Sequence, residues 1–212
     1  MSSSMSSAAA PNARDRILGA AIDLIRREGF AATSLDDLCR QAGVTKGAFF
    51  HHFAGKEDLG VAAADFWREG TSALFANAPY HRPADPLARV LAYLDFRREL
   101  VRGGVPEFTC LVGTLVQETY DSHPRIRDAC AASIFGHAQT LEADIAAAMK
   151  KHRVTAAGWT PESLATHTQT VLQGAFILAK AKNDPALVFD AIDHLERYIR
   201  FLFKPKKKAA AA

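Results

Sequence analysis

Hydrophobic residues recur at three- and four-residue steps along most of the chain, the spacing that places them on one face of an α-helix. In the first such stretch Ile17, Ala21 and Leu24 share a face, and Gly29 follows as a helix stop. No long stretch alternates between hydrophobic and polar residues as a half-buried strand does. The pattern therefore predicts an all-α protein.

Glycine and proline divide this pattern into separate helices. Gly29 and Gly43 stand at helix ends, whereas Pro86, Pro124 and Pro161 stand where a first helical turn tolerates proline. Helices are predicted over residues 12–28, 34–43, 45–53, 56–77, 86–102, 106–120, from 124 past 145, 161–182 and 185–203. We divide the chain into a lead (1–11), an N-terminal domain (12–58), a larger C-terminal domain (59–203) and a basic tail (204–212).

Residues 33–56, TSLDDLCRQAGVTKGAFFHHFAGK, combine two short predicted helices with a tight turn at Gly43. Ser34 and Thr45 are good N-caps, because a hydroxyl accepts a hydrogen bond from a free backbone amide of the first turn. The second helix begins with small polar residues and ends in aromatic residues and histidines, which suits insertion into a DNA groove. The segment therefore predicts a helix-turn-helix, although three helices around a glycine turn can also be ordinary core.

The second helix of this segment carries residue types that can read bases. Gly47 and Ala48 are small enough to bring the backbone close to the groove wall, and the Ala48 methyl group can contact a thymine methyl. Lys46 can donate to O6 and N7 of guanine. His51 and His52 can bond to phosphate or to base edges at the far end of the helix.

The segment resembles the DNA-binding domain of the TetR family of bacterial transcriptional regulators over about residues 14–60, through the pattern AGVxKGxFxHHFxxK. The resemblance implies a homodimer whose N-terminal domain binds palindromic operators in double-stranded DNA and whose C-terminal domain binds a small-molecule effector. By position, the implied DNA contacts are Thr33, Ser34, Thr45, Lys46, Gly47, Ala48, Phe50, His51, His52 and Lys56. The family usually has tyrosine at Phe50, and loss of one neutral hydrogen bond to phosphate costs about 0.5–1.5 kcal/mol.

The last two predicted helices carry apolar residues suited to a packed seam. The resemblance implies that two helices from each subunit form a four-helix dimer interface; the alternative is that the same faces are buried inside one subunit. The seam residues are Leu172, Ala175, Ile177, Leu178 and Ala179 on the first helix, and Phe189, Ile192, Leu195, Ile199 and Leu202 on the second.

Apolar residues with a few polar groups are also the usual lining of a ligand cavity. The candidates for an effector cavity are Trp67, Tyr93, Phe96, Phe108, Cys110, Gln117, His137 and Phe176, each of which can equally be core. Residues 108–120 and 174–185 are similar to a TetR subgroup that responds to small electrophilic or unsaturated compounds. That similarity implies a sensing role for the Cys110 thiol; the alternative is a small buried hydrophobic residue.

Composition limits the other classes of function. Three cysteines without CxxC spacing argue against a disulfide frame or a zinc site and favour a reducing cytoplasm. The first ten residues lack the basic start and apolar core of a secretory signal, and no apolar run is long enough to span a membrane. Catalytic motifs such as GxSxG, a phosphate loop and HExxH are missing. We therefore expect a cytoplasmic protein that is not an enzyme, has no catalytic residues, cofactor or metal, and has no membrane partner.

Charge alone does not argue for DNA binding. The net charge is +3, and residues 1–60 hold seven basic and seven acidic side chains. Four lysines lie in the tail at Lys204, Lys206, Lys207 and Lys208. The alternative function is accordingly a helical architectural or partner-binding protein that uses this tail.

Overall fold

The computed structural model describes residues 11–155 and 158–204, so nearly all of the predicted lead and tail lie outside the described residues. Within these ranges the fold is all-α, as predicted, with no strand. The helices are α1 (Ala13–Glu28), α2 (Leu35–Ala42), α3 (Lys46–His52), α4 (Lys56–Ala76), α5 (Pro86–Glu99), α6 (Val105–Phe108), α7 (Leu111–Thr119), α8 (Pro124–Lys151), α9 (Pro161–Lys182) and α10 (Ala186–Leu202).

Side-chain caps set the beginnings of the first three helices. The side chain of Asn12 accepts a hydrogen bond from the Asp15 amide at the start of α1. The Ser34 hydroxyl does the same for Asp37 at the start of α2, and the Thr45 hydroxyl for Ala48 at the start of α3. Each cap satisfies a backbone donor that has no partner inside the helix. The predicted caps at Ser34 and Thr45 are therefore confirmed.

The prediction of a single helix over residues 106–120 is wrong, because the chain forms two helices there, α6 and α7. Thr109 and Cys110 adopt extended backbone between α6 and α7. The carbonyl of Thr109 accepts a hydrogen bond from Nε of Arg26 on α1, at 2.8 Å. A carbonyl held by a distant side chain in this way does not need a helical partner, and the chain bends at this point.

The predicted loop between α4 and α5 contains a short 3-10 turn, Pro79–His81. Its Tyr80 is buried and packs against the rings of Phe75 and Tyr93. The turn therefore joins α4 and α5 as part of the core, and α5 ends at Glu99 rather than at the predicted residue 102.

Two hydrophobic clusters organise the molecule. The first joins α1–α4 and is completed by Leu111 and Leu115 of α7 and Ile126 of α8. The second joins α5, α8, α9 and α10. Because α4 begins in the first cluster and Phe75 near its end belongs to the second, the predicted domain boundary at 58/59 falls inside one continuous helix. Helices α4, α7 and α8 therefore connect the two ends of the molecule physically.

Much of the predicted dimer seam is buried inside the subunit. The core-facing residues are Leu172, Ala175 and Ala179 of α9 and Ile192, Leu195 and Ile199 of α10, all at 3% exposure or less. For these six residues the alternative interpretation holds, since the helical period marks a buried face without identifying its partner. Large apolar side chains that do reach solvent on these helices are Ile177, Leu178, Tyr198 and Phe201.

Candidate functional site

The turn between α2 and α3 fixes the direction in which α3 leaves the N-terminal core. Gly43 ends α2 in the left-handed region, with φ 62°, where glycine pays no steric penalty. The amide of Val44 then donates to the Cys39 carbonyl at 3.0 Å. Phe49 and Phe53 are buried at the other end of this short helix. Helix α3 is thus anchored by the turn at its start and by two buried phenylalanines towards its end.

The opposite side of α3 faces solvent. Lys46, Gly47 and His51 are exposed, and Ala48 and His52 are half-buried. Phe50 is 55% exposed, an unusual position for a phenyl ring next to a fully buried Phe49. The ring of Phe50 meets that of Phe49 edge-on, with centroids 5.3 Å apart. The exposed face therefore presents one charge, two imidazoles and an aromatic ring on a rigid base.

Lys46 makes an ion pair across the helix-turn-helix. Its Nζ lies 2.6 Å from a carboxylate oxygen of Asp36, and both side chains are largely exposed. The hydrogen bond to Asp36 raises the pKa of Lys46, so the lysine keeps its charge. An exposed pair of this kind contributes little to stability, so its lysine can exchange Asp36 for a stronger acceptor at little cost.

Two predicted contacts at the start of α2 have different environments. Ser34 is exposed, and its hydroxyl both caps α2 and donates to the carboxylate of Asp37. Thr33 is only 1% exposed, and its hydroxyl donates to the Gly29 carbonyl at 2.7 Å. The DNA contact predicted for Thr33 is therefore corrected, because its hydroxyl is buried inside the turn that precedes α2.

Lys56 begins α4 but its side chain turns back onto the protein. Its Nζ donates to the Ala31 carbonyl at 3.1 Å and lies 4.7 Å from the centroid of the Phe30 ring. Burial lowers the pKa of Lys56. The lysine therefore braces the turn between α1 and α2, and the start of α4 has no side-chain cap on its backbone amides.

Glu118, near the end of α7, holds the same turn from the other side. Its two carboxylate oxygens accept hydrogen bonds from the amides of Phe30, at 3.0 Å, and Ala31, at 2.9 Å. Gly29, at φ 91°, leaves room for this carboxylate, since a Cβ there would lie 2.5 Å from Oε1 of Glu118. We call this arrangement the Glu118 clamp. It ties the segment that leads into α2 to a helix of the C-terminal region.

A cavity of about 210 Å³ opens between the two hydrophobic clusters. It is lined mainly by apolar side chains from α4 to α9, with Arg26 of α1 and Arg97 of α5 among them. The predicted cavity residues that line it are Trp67, Phe108, Cys110, His137 and Phe176. The other three lie elsewhere: Tyr93 is fully buried, Phe96 packs edge-on against Phe75, and Gln117 lines a second depression between α7, α8 and α9.

Tyr93 still acts on the cavity through a hydrogen-bonded chain. Nε2 of Gln169 donates to the Tyr93 hydroxyl at 3.0 Å, and that hydroxyl lies 2.9 Å from Nε2 of His137. Burial, with the nearby Arg97 charge, lowers the pKa of His137 to about 3, so its ring is neutral. The hydroxyl then donates to Nε2, which leaves the ring proton on Nδ1.

Two family models match the chain. The model described as bacterial regulatory proteins, tetR family, matches residues 17–63, and the tetracyclin repressor-like C-terminal domain matches residues 86–195, about half of the chain. The chain belongs to the TetR family of transcriptional regulators. The helix-turn-helix built by α2 and α3 is accordingly its DNA-binding element.

Curated relatives of this TetR-family chain are regulators. The transcriptional regulator AcuR of Cereibacter sphaeroides is 25% identical over 177 residues, which cover 82% of this chain and 78% of AcuR. The regulator LmrA of Bacillus subtilis is 29% identical over 127 residues, which cover 56% of this chain and 63% of LmrA.

Solved structures share the fold of this TetR-family chain. A TetR-family regulator from Agrobacterium tumefaciens superposes with a TM-score of 0.76 at 24% identity, covering 87% of this chain and 96% of that one. The reduced form of NemR from E. coli gives 0.73 at 24% identity, covering 88% and 96%. In the described part of this chain, no helix is both long and apolar enough to cross a membrane.

The three cysteines of this TetR-family member have distinct environments. Cys39 and Cys130 are buried, and burial raises the pKa of Cys130 to about 12, which keeps its thiol protonated. Cys110 is half-buried and lines the cavity. Among the described residues it is therefore the cysteine that a small molecule in the cavity can reach.

Sequence reasoning missed three residues of the site. Arg26, Arg97 and Glu118 lie on amphipathic helices, where a charged residue is most often solvated. The contacts of all three join segments far apart in sequence, and spacing does not reveal such contacts.

Proposed function

We propose that this TetR-family regulator is a dimeric repressor that occupies a palindromic operator and leaves it when a small molecule fills the cavity. The observation that carries the proposal is α3, whose apolar side is fixed by Phe49 and Phe53 while its polar side is presented to solvent. A short, rigid helix with small residues at its start fits the major groove.

The proposed DNA contacts fall into two groups. Lys46, Gly47, Ala48 and His51 face outward on α3 and read base edges. The second group positions the protein on the sugar-phosphate backbone, and it consists of Ser34, Thr45, Phe50, His52 and the backbone at Lys56. Phe50 contributes stacking and packing against the sugar-phosphate backbone instead of a hydrogen bond. Sequence preference is therefore expected to depend on the first group and affinity on both.

A dimer is proposed because one α3 reads only about one half-site, whereas two copies held a helical turn apart read a palindrome. The exposed apolar side chains of α9 and α10 supply a surface for this contact. Ile177 and Leu178 are 47% and 57% exposed, and Tyr198 and Phe201 are 43% and 66% exposed. We propose that these four residues, instead of the core-facing seam, meet the second subunit.

Helices α4 and α7 are the proposed route from the cavity to DNA. Trp67 and Phe75 of α4 line the cavity, and the same helix begins at Lys56 beside the helix-turn-helix. Cys110 and Val112 line the cavity at the start of α7, and Glu118 holds the turn before α2 at its end. An effector that prefers a different position of these helices shifts the spacing of the two α3 helices, and without such a preference it shifts nothing.

Cys110 gives the proposed effector site a second chemistry. Its thiol is half-buried and borders the cavity. We propose Cys110 as the position at which an electrophilic effector would react. Mass spectrometry after treatment with N-ethylmaleimide should find Cys110 labelled faster than Cys39 and Cys130; equal labelling would contradict this assignment.

The regulator proposal is tested against the alternative that the lysine tail binds DNA. A duplex selected from a random library is titrated with the full chain, with Lys46→Ala plus His51→Ala, and with a chain that lacks residues 204–208. The regulator proposal expects the α3 variant to lose sequence preference and the truncated chain to keep it. The reverse result would favour an architectural protein and overturn the proposal.

A further inference from the structure

The cavity contains an arginine with no acidic partner. The guanidinium carbon of Arg97 lies 5.4 Å from the centroid of the Phe75 ring and 5.7 Å from that of Phe176. Within residues 11–155 and 158–204 its side chain makes neither a hydrogen bond nor an ion pair. Its neighbour Arg98 instead points to α10 and pairs with Asp193. Arg97 is thus held in place by aromatic rings, and its five N–H donors remain available to the cavity.

Arg26 supplies a second positive charge to the cavity lining. Its guanidinium carbon lies 5.0 Å from the centroid of the Trp67 ring, and Nε donates to the Thr109 carbonyl. Burial lowers the pKa of Arg26. Across the described residues no carboxylate oxygen lies within 4.0 Å of its nitrogens. The two terminal nitrogens of this partly desolvated guanidinium therefore make no direct ion pair, and Asp23 and Glu107 act on its charge only from a distance.

Glu107 makes no direct contact with these two charges, and it acts on Arg26 only from a distance, as Asp23 does. It lies at the rim of the cavity against Gly103 and is exposed to solvent. Its carboxylate forms no ion pair with Arg26 or Arg97 in the described part of the chain. The lining therefore carries two arginines against one solvated carboxylate, and its field favours an anion.

The imidazole of His137 adds a further donor to the wall. His137 is neutral. Because Gln169 already donates to the Tyr93 oxygen, we assign the Tyr93 hydroxyl as the donor to Nε2 of His137, which places the ring proton on Nδ1. Nδ1 has no acceptor among the residues that the structure describes. A donor without an acceptor, near the Arg97 guanidinium, fits a ligand rich in oxygen acceptors.

The size and lining of the cavity restrict the rest of the ligand. Its volume of about 210 Å³ is below the roughly 300–1,000 Å³ typical of drug-sized ligands. Apart from the groups above, the walls are mainly aliphatic and aromatic, with Leu74, Val101 and Ile134 among them. A planar or compact apolar body fits these walls.

From this arrangement we propose that the cavity binds a small carboxylate with an apolar body, whose carboxylate is held by Arg97, with Arg26 adding a second positive charge to the lining. The proposed function enters this assignment only in the expectation that ligand binding releases the operator. The class of ligand is inferred from the donors and the apolar walls of the cavity alone. Guanidinium groups bind carboxylates in a bidentate geometry, and Arg97 has a free planar edge for that contact.

Trp67 lines the cavity, and the protein has one other tryptophan, Trp159, so tryptophan fluorescence reports occupancy in a Trp159→Phe background. The probes are benzoate, cinnamate and cyclohexanecarboxylate, each compared with its neutral amide and with benzylamine as a cation. At least one carboxylate is expected to bind ten times or more tightly than its amide. Arg97→Gln should remove at least tenfold of that preference, whereas Arg68→Gln, which removes an exposed positive charge from α4, should leave it unchanged.

Three results would overturn the assignment: amides or benzylamine binding as tightly as the acids, no carboxylate binding at all, or an acid preference that survives Arg97→Gln in a folded protein. A parallel operator titration separates this inference from the repressor proposal. Carboxylates that bind without releasing DNA support the ligand assignment and contradict the effector switch. Release of the operator by neutral or cationic compounds alone supports the switch and overturns the ligand assignment.

Discussion

The Glu118 clamp allows a direct test of how the cavity communicates with the helix-turn-helix. Glu118→Gln keeps the length of the side chain but replaces one carboxylate oxygen by an amide nitrogen. That nitrogen cannot accept the hydrogen bond that Phe30 or Ala31 now donates. The charge that attracts Lys56 is lost as well. The substitution therefore loosens the turn before α2 without removing any residue proposed to touch DNA or ligand.

The energetic effect follows from these two hydrogen bonds. A hydrogen bond to a charged group contributes roughly 1.5–3 kcal/mol where it is shielded from water and less where it is solvated. Glu118 is exposed, whereas Phe30 is buried, so the clamp is only partly shielded. We expect Glu118→Gln to lower the free energy of unfolding by about 1–2 kcal/mol in urea denaturation. A larger loss would mean that the substitution disturbs more than the turn.

The functional effect is measured by amide hydrogen exchange and by DNA titration. The amides of Phe30 and Ala31 should exchange faster in Glu118→Gln than in the unaltered protein. The affinity of Glu118→Gln for the operator should also change less when effector is added. Glu69→Gln is the matched control, because Glu69 is exposed on α4 and makes no side-chain hydrogen bond among the described residues. Unchanged exchange at both amides, together with an unchanged effector response, would refute the proposed route through α7.

Four further predictions follow from the same contacts. Lys46→Ala should weaken specific DNA binding by roughly 1–3 kcal/mol, with little change on random duplex; equal loss on both would remove Lys46 from the base-reading set. Gly29→Ala should lower the free energy of unfolding by about 1–3 kcal/mol, because φ of 91° is strained for alanine and its Cβ meets Glu118; a wild-type urea midpoint would contradict this. The pKa of His137 is about 3 in the folded protein, below the ordinary value of 6.5. Between pH 6.5 and 3 the unfolded chain therefore binds a proton at this residue that the folded chain does not bind. Acidification over this range lowers the free energy of unfolding by up to about 1.4 kcal/mol per pH unit. His137→Gln should show a shallower slope in urea titrations from pH 6.5 to 4.5, and an unchanged slope would place the acid sensitivity elsewhere. Phe201→Glu should shift sedimentation towards a monomer and weaken operator binding, whereas Tyr120→Glu, an equally exposed aromatic position, should do neither; a dimer that persists would exclude the proposed face.

Local signals predicted the DNA-binding end of the molecule well. Ser34 and Thr45 cap helices through bonds that reach only three residues along the chain, so the sequence contains all the information needed. The end of α2 could also be predicted locally, because the left-handed backbone of Gly43 terminates this helix. The exposed side of α3 could be predicted for the same reason, because a short helix between two such markers has little freedom in how it is oriented.

Contacts between distant segments account for the features that sequence could not predict. The break between α6 and α7 depends on Arg26, which lies 83 residues before Thr109. Burial of Ile192 and Leu195 inside the subunit follows from where α9 packs, and the helical period is the same for a core face and a dimer face. Arg97 looks like any charged residue on α5 until the rings of Phe75 and Phe176 are placed around it.

The central claim is that α3 enters the major groove and is presented twice by a symmetric dimer. Methylation interference on the selected duplex tests it most directly, because N7 of guanine lies in the major groove. We predict two clusters of interfering guanines related by a two-fold axis, both of which weaken in Lys46→Ala plus His51→Ala. A single cluster, or a symmetric pattern that the double substitution leaves intact, would contradict the claim.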